Sequence, residues 1–267
     1  MAPRWRCLLI FCLCCLAAPA QDSLRLRWQK PGPLAAAYPD HFGNLWLLDA
    51  QNKLTKFNWQ GDSVAVYNAI ARHGLLHQLS LTNPLQVVLF YKDFQTLVVL
   101  DRLLAPRLTL PLSRAGLFQV KTATLSYDAN LWVYDELEHK IIKLSEGGDR
   151  LLESSDLRQL LPHEFSPQGL WDLEGSLYAY DAAFGWVVFD YYGAAQRSLP
   201  YAGWANPDVF AGTVTGWEKG RFISVSLKDL FPRYPALRLP AGCQQPQWQD
   251  GWLFCVDAAG GLRVYGR

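Results

Sequence analysis

The sequence predicts an all-β chain whose small antiparallel sheets close into a ring, a single six-bladed β-propeller. The first observation is a recurring phrase of turn residues, an aliphatic, an aromatic, two strand formers and Asp. It reads Gly43-Asn44-Leu45-Trp46-Leu47-Leu48-Asp49, Ala129-Asn130-Leu131-Trp132-Val133-Tyr134-Asp135, Gly175-Ser176-Leu177-Tyr178-Ala179-Tyr180-Asp181 and Gly251-Trp252-Leu253-Phe254-Cys255-Val256-Asp257. The second is its spacing: Leu45 to Leu131 is 86 residues, twice 43, and Leu131 to Leu177 is 46, the period of a propeller blade. The third is composition. Hydrophobic residues make up 50% of the chain but fall in short runs bounded by Gly, Asn, Asp and Pro, with no long helical periodicity, which is the signature of many short strands.

Residues 1–20 read as a secretory signal, with Arg4 and Arg6 ahead of an apolar stretch from Cys7 to Leu16 and a small-x-small site at Ala18-Pro19-Ala20. The propeller domain is then 21–267. No later stretch is long and apolar enough for a membrane span, so the expected location is periplasmic or secreted. Cys12, Cys14 and Cys15 lack the small residue that a lipobox places before its Cys.

Unit one spans about residues 34–76, with the strand Leu45–Asp49, the turn Ala50-Gln51-Asn52 and a strand over 53–58. Unit two is degenerate but in register, with Val87–Tyr91 and Thr96–Asp101 around a turn at 92–95. Unit three covers about 117–163, and unit four about 167–211 with strands at 177–181 and 186–190. Unit five is marked by the hairpin Trp217 to Val225, with Lys219-Gly220 where other units carry Gly-Asn or Ala-Asn. Unit six has the Asp250-Gly251 turn, then 252–257 and 262–265, and stops one strand short. The alternating segment Leu24-Arg25-Leu26-Arg27-Trp28 can supply that outer strand and close the ring. The 247 residues after position 20 give about 41 per blade.

The phrase has a physical logic. Gly or Asn tolerates positive φ at the turn, the aliphatic and aromatic residues alternate across the blade, and the aromatic packs on the next blade. Asp49, Asp135, Asp181 and Asp257 cap the following turns through their carboxylates.

Without residues 1–20, which hold two Arg and no acids, 23 basic residues face 24 acidic ones, and no basic run suggests nucleic acid. Only Cys243 and Cys255 remain of six cysteines. They flank the 249–251 turn, so export allows a disulfide between them, with two buried thiols as the alternative. His73 and His77 have a ligand-like spacing, but Gly74 lies between them and no third ligand follows, so a solvated loop is expected. No nucleophile elbow, phosphate loop or dinucleotide fingerprint is present.

The units resemble those of NHL-type and two-component-regulator propellers, whose blades also read turn, Gly-Asn, Leu-Trp, strand, Asp. The resemblance spans the chain after the signal and implies fold more than function. Export, single-domain size and the Leu-Trp phrase also resemble propellers of the Bacteroidetes cell envelope, such as the plug subunit of the type IX secretion translocon. That likeness implies a steric role at the mouth of a large outer-membrane or envelope protein.

What distinguishes the sequence is apolar connecting segments, whose Trp, Tyr, Phe and Arg residues have the composition of binding hot spots. Phe118, Trp204, Phe210, Phe231, Arg233 and Tyr234 are the expected partner-binding residues, at one end of the ring. The reading is a non-catalytic protein-binding module with no cofactor and no metal. The alternative is a propeller hydrolase similar to gluconolactonase and paraoxonase, which hold a divalent cation in the channel. Its candidate acids here are Asp40, Asp128, Asp172, Glu174, Glu218 and Asp250, most of them in turn sequences. A binding module is expected to have a narrow or filled channel and an apolar rim, the hydrolase an acidic funnel.

Overall fold

The computed structural model describes residues 24–266 apart from 84, 162 and 236, so the expected signal segment, 1–20, lies outside the described residues. Each of six sheets has four antiparallel strands. Blade one is Leu34–Pro39, Leu45–Asp49, Leu54–Phe57 and Ser63–Tyr67. Blade two is Gln78–Ser80, Gln86–Tyr91, Thr96–Asp101 and Pro106–Pro111. Blade three is Val120–Leu125, Leu131–Asp135, Lys140–Leu144 and Arg150–Glu153. Blade four is Gly169–Leu173, Ser176–Asp181, Gly185–Phe189 and Ala195–Leu199. Blade five is Ala205–Phe210, Thr213–Glu218, Arg221–Ser226 and Pro232–Arg233. Blade six is Cys243–Gln249, Trp252–Asp257 and Leu262–Gly266, completed by the N-terminal strand Arg25–Lys30. That strand runs from Arg25 opposite Gly266 to Lys30 opposite Leu262, so the two ends of the chain share one sheet and Arg25–Lys30 covers the edge of Leu262–Gly266.

Blade five departs from the expected register. Lys219-Gly220 joins its second and third strands, and the turn equivalent to Gly43-Asn44 is Ala211-Gly212. Unit four therefore ends before Ala205. Both pairs have two successive positive φ values, 46° and 65° at Ala211-Gly212 and 49° and 76° at Lys219-Gly220, the geometry of a two-residue hairpin. Two equivalent turn signals eight residues apart leave the sequence with no local way to choose between them.

The core lies between blades. Trp46 is buried among Val87, Leu89 and Tyr91 of blade two, and Trp132 among Leu177, Val187 and Phe189 of blade four. Each indole N–H finds a carboxylate, Trp46 on Asp40 and Trp132 on Asp172, both at 2.9 Å. Burying an indole without such an acceptor would forfeit a hydrogen bond. The phrase-ending acids close turns as their type favours. Asp49 accepts from the Gln51 and Lys53 amides, Asp135 from Glu138, Asp181 from Ala183, and Asp257 from Ala259 and Gly261.

Because each blade is a meander, the turns joining strands one to two and three to four share one face of the ring. The turns joining strands two to three, and the connectors between blades, share the opposite face. Cys243 and Cys255, on the first two strands of blade six, form a disulfide with Cα atoms 5.4 Å apart.

Candidate functional site: the channel and the hairpin face

Inner strands from five blades surround a cavity of ≈ 540 Å³ in the channel. It is bounded by Tyr38 to Phe42 of blade one, Gln78 to Thr82 of two, Gln168 to Trp171 and Leu173 of four, Asn206 to Phe210 of five and Gln247 of six. Blades two and three are zipped beside it, with Ser80 Oγ 2.8 Å from Thr124 Oγ1 and Gln78 Oε1 accepting from Thr122 and the Ala123 amide. The channel thus holds an open cavity rather than being filled, with Asp40 and Asp208 the carboxylates that line it.

Local sequence shapes this space. Gly169 and Trp171 lie two apart on the inner strand of blade four, on the same side. A Cβ on Gly169 would collide with the Trp171 ring, so only glycine lets the indole lie along the channel wall. In blade five the register shifts between Ala205 and Asp208, a bulge that takes in Pro207 and Asn206, whose φ is 46°. Bulges re-aim side chains and accommodate a proline that lacks an N–H, which is how a run of consecutive residues, 206–210, comes to line one cavity.

At the hairpin-face mouth, His41 of blade one stacks on Phe210 of blade five, with centroids 3.7 Å apart and planes 8° from parallel. Its Nε2 is 3.6 Å from Asp208 Oδ2 and its Nδ1 meets the Gln249 amide of blade six. Asp40 holds the adjoining loop by accepting from the Phe42 and Asn44 amides, Asn44 Nδ2 and Trp46.

Around this mouth the hairpin face exposes aromatic rings on its turns: Phe42, Trp59, Tyr127, Tyr192, Phe210, Phe231 and Trp252. The opposite face exposes Phe94, Phe118 and Tyr234. Trp59 and Tyr192, each 79% exposed, sit on tight turns closed by Asn58 and Asp190, which accept from the Asp62 and the Tyr192 and Ala194 amides. Tyr127 is stacked on Tyr191 at 4.4 Å. The Lys143 ammonium stands 5.1 Å from the Tyr127 and Trp132 rings and 2.7 Å from Asp128. Burial pushes the Asp128 carboxyl up, but bonds from Lys143, Asn130 and Ser126 outweigh it and hold the pKa down at about 2. These contacts pin part of the aromatic face to the blades.

The residues singled out from sequence do not meet at one end. Phe210 and Phe231 lie on the hairpin face, whereas Phe118 is on the connector from blade two to blade three, across the ring. Arg233 belongs to the outer strand of blade five and pairs with Asp229, and Tyr234 lies under Arg221 at 5.3 Å. Trp204 is only 4% exposed and is corrected to a core residue. It packs over Gly216, where a Cβ would come within 2.8 Å of the indole, and the Tyr180 hydroxyl bonds its backbone. His73 is likewise no solvated loop residue. It ends the one-turn helix Ile70–His73, buried with its ring 5.2 Å from Tyr91, and burial and then Arg72 push its pKa down.

Of the six candidate acids, Asp172 bonds Ser126 and Trp132 within the interface between blades three and four. Glu174 and Asp250 occupy positive-φ turn positions, and Glu218 ends a strand at the opposite face from Asp40. Among the described residues, no three His, Cys, Asp or Glu side chains are grouped to hold a metal ion, and no helix is long and apolar enough to cross a membrane.

Sequence reasoning missed Trp59, Tyr192, His41 and Asp208. The first two carried a signal, an aromatic between Asn or Asp and Gly in a tight turn, where no neighbour can cover it. His41 and Asp208 carried none, because only ring closure brings blades one and five together.

No protein-family model matches the chain, and no curated protein sequence matches it. Solved structures are similar in fold. Virginiamycin B lyase from Staphylococcus aureus shares 13% identity and a TM-score of 0.56 over 88% of this chain and 80% of that one. The WD40 domain of Pan2 from Neurospora crassa shares 11% identity and a TM-score of 0.62, over 88% and 89%. PorZ, a surface component of the type-IX secretion system of Porphyromonas gingivalis, shares 14% identity and a TM-score of 0.55, over 86% of this chain and 30% of that one.

Proposed function

We propose that this chain is an exported, non-catalytic propeller that binds a protein partner through its hairpin face, as an accessory subunit of an outer-membrane secretion complex. The observation that carries the reading is the ring of exposed aromatics on the turns of that face, from Phe42 and Trp59 through Tyr127 and Tyr192 to Phe231. Aromatic side chains are rigid, bury much area and are the residues on which interface energy concentrates. The pinned Tyr127–Tyr191 pair reduces the ordering cost of docking. PorZ, similar in fold, is a surface component of a type-IX secretion system, which lends support to an envelope setting.

The hydrolase alternative needs carboxylates converging on the channel axis. Of its candidate acids, Asp40 and Asp172 are bonded to indoles and Asp128 to Lys143, and of the six Asp40 alone lines the cavity.

Affinity capture of the tagged chain from its native envelope, with chelator and with calcium, tests the reading. The expected result is one large outer-membrane protein, recovered equally in both conditions and lost with Trp59→Ala/Tyr192→Ala. Absence of any partner, together with calcium-dependent stability, would favour the hydrolase.

A further inference from the structure

We propose that the channel cavity binds an organic cation, a primary ammonium or guanidinium group carried on an apolar body. Three features specify this chemistry. The cavity, at ≈ 540 Å³, lies within the range of about 300–1,000 Å³ typical of small-ligand sites. Its walls present aromatic side chains, Tyr38, Phe42, Trp171 and Phe210 among them, and ring faces attract cations. Its charged lining is of one sign: Asp40 and Asp208 border it, while no described lysine or arginine does.

The two carboxylates differ in what they have left to offer. Asp40 already accepts four hydrogen bonds. Asp208 accepts one, from the Val209 amide, and its other oxygen faces only His41 Nε2, at 3.6 Å. That distance is too long for a hydrogen bond, so Asp208 retains acceptor capacity at the mouth. The Gln249 amide on His41 Nδ1 holds the imidazole in place beside Asp208. The blade-five bulge and the His41–Phe210 stack fix Asp208 beside the rings.

The cation could reach the site as a free amine or as a basic side chain of a polypeptide. Isothermal titration of the full chain with phenethylammonium, 2-phenylethanol and phenylacetate compares three probes of similar shape and different charge. The ammonium should bind about tenfold tighter than the alcohol, as expected of a charge-assisted bond, with phenylacetate weakest and the preference reduced by salt. Asp208→Asn, which keeps the side-chain shape, should abolish the preference while circular dichroism stays unchanged. Trp59→Ala, outside the cavity, should retain it. Equal binding of the three probes, or no binding of the ammonium at millimolar concentration, would overturn the proposal on the wild-type chain alone. In a further arm, acetyl-Phe-Arg-amide binding tighter than phenethylammonium, and competed by it, assigns the site to a peptide side chain, and the reverse order assigns it to a free amine. The inference rests on the cavity and not on the hairpin-face partner, so a chain that captures its partner but shows no charge preference loses this proposal alone.

Discussion

Asp172 and Asp128 lie on either side of the same Lys143–Trp132 cluster and their carboxyls are driven in opposite directions. Burial raises Asp172 above its ordinary 3.8 despite bonds from Ser126 and Trp132, and its second oxygen has no protein partner. Its native state therefore holds a proton more tightly than the unfolded chain. The resulting stability is full below pH 3.8 and is lost as the pH rises through the native value. Asp128, held down at about 2, contributes stability that is present above 3.8 and lost as the pH falls toward 2. Denaturant unfolding across pH should accordingly show a shallower acid limb in Asp128→Asn and a shallower decline above pH 3.8 in Asp172→Asn. Curves parallel to wild type would refute both assignments. Trp132→Phe keeps most of the packing but removes the donor to Asp172, and should cost about 1–3 kcal/mol in the same measurement.

At the scale of elements, the repeated phrase located the middle strands because turn, alternation and closing Asp all act within seven residues. The strands Leu45–Asp49 and Leu131–Asp135 fall where the sequence places them, and the missing outer strand of blade six was legible as the leftover alternation around Leu26. Blade five was misregistered because Ala211-Gly212 and Lys219-Gly220 both satisfy hairpin chemistry, and only pairing to the inner strand distinguishes them. Trp204 was misread for a related reason: connector aromatics look alike in sequence whether they face solvent or a glycine such as Gly216. The disulfide links the two inner strands of the blade that closes the ring. Cys243→Ser/Cys255→Ser should lose about 3 kcal/mol, read as a lower denaturation midpoint that reductant no longer shifts. Gly185 turns blade four at φ 107°, where a Cβ would come within 2.9 Å of the Tyr201 amide. Gly185→Ala should destabilise by more than about 1 kcal/mol.

At the scale of the whole molecule, closure both stabilises the ring and builds the sites. It seats Arg25–Lys30 against Leu262–Gly266, and it brings His41 to Phe210 across blade six, a contact no local pattern announces. A chain starting after residue 31 should expose the Leu262–Gly266 edge and self-associate, visible by size-exclusion chromatography. The central claim is that one face of this ring meets the partner. A photo-reactive phenylalanine analogue placed at Trp59, Tyr192 or Phe231 on the hairpin face, and at Phe94 or Phe118 on the other, tests it in the native envelope. Crosslinks to one large outer-membrane protein from the first three positions and none from the last two are expected; the opposite pattern, or equal crosslinking from both faces, would contradict it.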